Sequence, residues 1–111
     1  MRLSIMLALS ALAVAGTTAH ATEQRMAEGK KAYQNTCARC HEVGVMKAPR
    51  TTQPADWEGR SFLWDSVLVE HAEKGYLAMP PQGGDGGESP YDIRVAAEYM
   101  ATITHPELPH D

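Results

Sequence analysis

The chain is predicted to be all-α, on three observations. Apolar residues recur with a 3.6-residue period in two stretches of the second half. A complete helix-start signature, Ser89-Pro90-Tyr91-Asp92, precedes one of them. No stretch makes a convincing strand. From Glu23 to about Asn35 the residues are good helix formers, acidic early and with Lys30-Lys31 late, as the helix dipole prefers. Met26, Gly29 and Tyr33 share one face of that first helix, where Gly29 admits a close neighbour. Cys37 to about Gly59 is punctuated by Gly44, Pro49, Pro54 and Gly59 and reads mostly as loop. In the second helix Trp64, Val67, Leu68, His71, Ala72 and Gly75 fall on one stripe, with Ser61 as cap and Gly75 as stop. Residues 80–87, Pro-Pro-Gln-Gly-Gly-Asp-Gly-Gly, are expected to form no regular structure. The third helix then starts with Ser89 at its cap and buries Ile93, Ala96, Ala97 and Met100, with Tyr99 and Ile103 flanking, before His105-Pro106 ends it.

The 111 residues divide into an export signal, 1–21, and one domain, 22–111. Arg2 leads an apolar run from Leu3 to Gly16, and Ala19-His20-Ala21 supplies the small residues of a cleavage site. That run of 14 residues is shorter than the roughly 20 needed to span a bilayer. Retention as an uncleaved anchor stays open; if the signal is cleaved, no stable membrane insertion is expected. Only 12 of the 90 residues from Thr22 onward are Leu, Ile, Val or Phe, and nine Lys and Arg stand against 14 Asp and Glu. So apolar-poor and acidic a chain does not fill its own centre. A small domain in that position needs a staple. A bridge between Cys37 and Cys40, its only cysteines, would close too short a loop to serve. The shortage points to a large apolar cofactor. The acidic balance excludes nucleic acid as a partner, because phosphate binding needs clustered Lys and Arg.

Cys37-Ala38-Arg39-Cys40-His41 has the spacing C-x-x-C-H, the attachment signal for c-type haem. Two thiols two residues apart add to the two vinyl groups on one porphyrin edge, and the following imidazole reaches the iron from one face. A thioredoxin-like pair expects a strand–helix context, half of a zinc site lacks its other ligands, and a structural disulfide is the plainest alternative. For the opposite axial position Met79 stands out, in Ala78-Met79-Pro80-Pro81, where two prolines fix the backbone beside a soft sulfur donor. Met46 lies only five residues past His41 and does not easily pass to the other face. Met26 and Met100 look like packing. His71, on the apolar stripe of the second helix, is the rival ligand, or else a buried, hydrogen-bonded ring.

Gly29-x-x-x-Tyr33-x-x-x-Cys37-x-x-Cys40-His41, Ala48-Pro49, Trp57-x-x-Arg60, Gly75-x-x-x-Met79-Pro80-Pro81-x-Gly83-Gly84 and Ala96-Ala97-x-Tyr99-Met100 resemble the small monohaem class I cytochromes c, in particular the cytochrome c-five group. The resemblance implies the class I fold, three main helices and long loops around one haem c held covalently by Cys37 and Cys40. It further implies axial ligation by His41 and Met79, with the Pro49 carbonyl accepting from the other ring N–H of His41. Gly29 and Tyr33 would meet Tyr99 of the last helix, while Trp57 and Arg60 would approach the haem propionates. The chain departs from the group in lacking a second cysteine pair, in having Gln82 where a basic residue is common, and in Glu88-Ser89-Pro90-Tyr91, which replaces the usual Leu-Ser-Asp turn.

The expected function is electron transfer in the periplasm, one-electron Fe(III)/Fe(II) exchange without enzymatic turnover. Donor and acceptor redox proteins are expected to dock briefly through a small interface. Two alternatives stand beside it. One is the cytochrome subunit of a periplasmic dehydrogenase complex; the other is a haem enzyme or ligand sensor with an open sixth position.

Overall fold

A computed structural model of the chain describes residues 14–59, 65–84 and 86–108. Its helices are α1 (Val14–Ala32), α2 (Ala38–His41), α3 (Asp65–Lys74) and α4 (Pro90–Thr104). No strand occurs among the described residues; one isolated bridge pairs Tyr76 with Met79. The three long helices are thus where the sequence puts them, with informative differences at their ends.

The first helix begins before Glu23, at Val14, and runs through the expected cleavage site. Most of the export signal, 1–13, lies outside the described residues, as do Ser61 and Trp64 at the start of the second helix. The helical path also does not stop near Asn35. Tyr33–Cys37 forms one wider π-turn, closed by Ala38 N–H donating to the Tyr33 carbonyl, and leads straight into α2. Cys37 to His41 is therefore helical, a correction to the loop expected there. The π-turn changes the angular phase of the chain just before the cysteines, as such insertions often do at functional sites. Gly44, in the left-handed region at φ 84°, ends this stretch, and its N–H is taken by the Cys40 carbonyl at 2.9 Å.

The seam between α1 and α4 holds most of the packed interior. Ala32, Tyr33, Ala96 and Met100 form its buried cluster, and Ile93 and Ala97 are buried as expected. A Cβ built on Gly29 would sit 2.3 Å from the Val95 carbonyl oxygen and 2.9 Å from the Tyr99 Cβ, so only glycine allows this crossing. One turn later the Tyr33 and Tyr99 rings meet, centroids 5.5 Å apart. Arg25 clamps Glu98 with two hydrogen bonds of 2.7 and 2.8 Å across the same seam. At the other end of α4, Ser89 accepts from Asp92 N–H while the Asp92 carboxylate accepts from Ser89 N–H, the reciprocal cap predicted from sequence.

Helix α3 packs on α4 and on the short 3-10 turn Pro81–Gly84, the one regular feature in the stretch expected to have none. Its buried residues are Asp65 and Val69, not the predicted stripe. Leu68, His71 and Ala72 are only half-buried and instead line a cavity. The stripe is real, but it faces a space that the polypeptide does not fill.

Candidate cofactor site

That cavity, about 450 Å³, lies between the 36–57 segment on one side and α3, the 76–83 segment and α4 on the other. Cys37, Cys40, His41, Pro49, Trp57 and Met79 all line it, together with His71. Six of the seven residues expected at the site are thereby brought together. Arg60, the seventh, lies outside the described residues.

His41 is buried, 8% exposed, at the end of α2. Its Nδ1 donates to the Pro49 carbonyl at 2.7 Å, which places the proton on that nitrogen and leaves Nε2 as the lone-pair atom of the ring. The same bond fixes the orientation of the ring. A second strut ties the backbone: Thr51 N–H donates to the His41 carbonyl at 2.8 Å. Sequence reasoning missed buried Thr51, since a threonine in an irregular loop carries no periodic or motif signal. Trp57 lies nearly parallel to the His41 ring, 5.9 Å between centroids and 13° between planes, and donates its indole N–H to the Arg50 carbonyl at 3.0 Å. Arg50 in turn holds Asp56 at 2.7 Å, closing the loop on itself.

The thiols differ in environment. Cys37 is partly buried and Cys40 exposed, and both are free. Burial first, then the nearby Glu88 carboxylate, pushes the Cys37 thiol up to about 11. Thr36, immediately before it, is 4% exposed and donates to Glu88 Oε1 at 2.8 Å.

Opposite them, Gly75 at φ 83° ends α3, and a Cβ there would lie 2.9 Å from both the Met79 carbonyl oxygen and Pro81 N. Only glycine lets the Met79-Pro80-Pro81 backbone fold back so closely. Tyr76 and Met79 exchange backbone hydrogen bonds of 3.0 and 2.9 Å, which stiffens the turn. Met79 is half-buried on the cavity wall. His71 stacks on Tyr76 at 3.8 Å and 7°, so its ring has an aromatic partner. Met46 also reaches the cavity but is 80% exposed at its edge. Buried Met100 serves both the α1–α4 seam and the cavity wall.

The residues fit a haem. Apolar walls from Leu68, Ala72, Ile93, Ala97 and Met100 suit a flat macrocycle, and two thiols at C-x-x-C spacing precede an imidazole with its proton directed away. A thioether completes the donor set.

An all-α chain folded around an apolar cavity that carries this donor set defines a haem-binding electron-transfer protein. Residues 24–100 match the family model described as cytochrome C oxidase, cbb3-type, subunit III. Cytochrome c-551 of Halorhodospira halophila is 39% identical over 77 residues, covering 66% of this chain and 95% of that protein. Cytochrome c-555 of Chlorobaculum tepidum is 35% identical over 78 residues, covering 67% and 72%. Cytochrome c5 of Ectopseudomonas mendocina is 33% identical over 70 residues, covering 60% and 79%. A cytochrome c solved in an electron-transfer complex with nitrite reductase superposes with a TM-score of 0.62 at 31% identity, covering 69% of this chain and 94% of that one. The chain belongs to the cytochrome c family, with the fold of its small monohaem class I members. Its function is electron transfer and its cofactor is haem c, for which Cys37, Cys40 and His41 form the attachment motif.

Proposed function

We propose that this cytochrome is a periplasmic one-electron carrier whose haem is attached through Cys37 and Cys40 and ligated axially by His41 and Met79. The observation that carries the reading is the convergence of both thiols, the Pro49-bound imidazole and Met79 on one cavity. The bound haem supplies one-electron Fe(III)/Fe(II) exchange. The protein's share is to hold the His41 ring through Pro49, to present Met79 on a turn stiffened by two prolines and two backbone hydrogen bonds, and to exclude water with apolar walls. A thioether favours the reduced iron and raises the potential. Arg60 stays assigned to the propionate side, as the resemblance implies, whereas Trp57, its indole N–H taken by the Arg50 carbonyl, supports the site through its ring face beside His41.

Export is supported by Arg2, the apolar run Leu3 to Gly16 and the Ala19-His20-Ala21 site, with residues 22–111 as the mature domain. Among the described residues no helix is long and apolar enough to cross a membrane. Redox partners are expected to dock at the cavity mouth, where Met46 and Leu77, 80% and 83% exposed, stand beside Val45 and Tyr76. An electron-relay subunit of a larger redox complex is the second reading, favoured because the matching family model is described as an oxidase subunit. Copurification with a larger protein at constant ratio distinguishes it from a free carrier.

The test of ligation is Met79→Ala. Haem stays attached, the potential falls, and the reduced protein gains carbon monoxide binding at neutral pH. Retention of the weak far-red sulfur-to-iron absorption band in that variant would show that another residue is the ligand.

A further inference from the structure

Glu88 belongs to the turn that departs from the cytochrome c-five pattern, and neither haem attachment nor ligation assigns it a task. Its carboxylate accepts from the Thr36 hydroxyl at 2.8 Å, across 52 positions of sequence. Thr36 sits inside the π-turn that delivers Cys37, is 4% exposed, and lines the cavity. A Cβ built on Gly83 would lie 3.4 Å from its methyl carbon, so the Met79 loop rests on the same threonine. The Met79 end of that loop is held by two prolines and two backbone hydrogen bonds, but its glycines restrain the backbone little. Gly83, Gly84, Gly86 and Gly87 leave it maximal backbone freedom, and Gln82, Gly83, Gly84 and Gly86 all take positive φ.

We propose that Glu88 is a positioning residue: its bond to Thr36 latches the 80–88 loop to the cysteine turn and so keeps Met79 seated on the cavity. The inference rests on Met79 being the axial ligand. Without the latch, the threonine hydroxyl loses its partner where water reaches it poorly, and the glycine-rich loop regains its freedom. Conformations with Met79 withdrawn then become more populated. The cysteine turn itself does not move, because the thioethers and the His41–Pro49 bond hold it.

The test uses the ferric holoprotein and added imidazole, a neutral ligand that binds only where Met79 has withdrawn. Its apparent affinity scales with the withdrawn population. Glu88→Ala is expected to tighten imidazole binding by roughly tenfold, the weight of one such hydrogen bond. Thr36→Val does the same, and the two together add little beyond either alone. Glu88→Gln, which removes the charge but keeps an acceptor oxygen, binds imidazole like the wild type. Haem content stays alike in Glu88→Gln and Glu88→Ala, while the global unfolding midpoint falls in Glu88→Ala whether the bond seats Met79 or merely stabilises the fold; only the seating role also tightens imidazole binding. Wild-type imidazole affinity in Glu88→Ala, with the sulfur-to-iron band present in the wild type, overturns the latch alone. Absence of that band in the wild type overturns the ligand reading and the latch with it.

Discussion

Two buried side chains at the cysteine turn show how single residues set this site. His41 spends its Nδ1 proton on Pro49, which orients the ring toward the cavity. Tyr33, 4% exposed between α1 and α4, donates its hydroxyl to Glu42 just beyond α2. Burial first, then that bond to a carboxylate, pushes the phenol up to about 12 from its ordinary 10. Because the folded value is raised, the contribution is complete below pH about 10 and is lost as pH rises toward 12. Tyr33→Phe should therefore flatten the fall in stability across that window, read by denaturant unfolding of the holoprotein at several pH values. A slope equal to that of the wild type would show that Tyr33 is not the group responsible. The Tyr33–Glu42 pair was not legible in the sequence, since Glu42 reads as an ordinary loop carboxylate until α2 carries it back beside the tyrosine.

At the scale of elements, two glycines decide geometry by what they lack. Gly29 permits the α1–α4 crossing, and Gly75 permits the Met79 turn to fold against the end of α3. Gly29→Ala gains about 1 kcal/mol of helix propensity. It must also push the helices apart, because backbone oxygen lies 2.3 Å from the new Cβ. Overpacking of this kind costs about 1–3 kcal/mol. The expected result is net destabilisation with the Tyr33–Tyr99 contact loosened, checked by the thermal midpoint of the holoprotein. A midpoint at or above that of the wild type would mean the seam yields more easily than its backbone contact suggests. The Arg25–Glu98 clamp across the same seam is partly exposed and adds at most about 1 kcal/mol, so the close approach, not the ion pair, governs this element. Helix existence, face and caps were readable from periodicity. The π-turn was not, because no residue of Tyr33–Cys37 marks an extra position in a helical run.

For the whole molecule the governing fact is a scarcity of apolar side chains: among the described residues the packed cluster is Ala32, Tyr33, Ala96 and Met100, while the stripe on α3 and one face of α4 border the cavity. Haem is therefore part of the interior. Replacing Cys37 and Cys40 together by Ala should give a chain with much reduced helix content by circular dichroism. Full helix content without haem would show that the α1–α4 seam suffices alone. Surface character is equally uneven. The domain is acidic overall, but the cavity mouth carries Val45, Met46, Tyr76 and Leu77 with Lys47 beside them. Net charge read from sequence could not locate that mouth, because it sums over all faces.

The sequence by itself determined the helical class, the covalent attachment motif, the cap of the last helix and the need for an apolar group at the centre. Each of these is local, written in spacing or composition within a few residues. Only the tertiary structure decided that the 37–41 motif is helical, that the α3 stripe borders a cavity while Val69 turns inward, and that Thr36 meets Glu88. These depend on which surfaces approach across tens of residues, and side-chain period alone does not say whether an apolar face meets protein or cofactor.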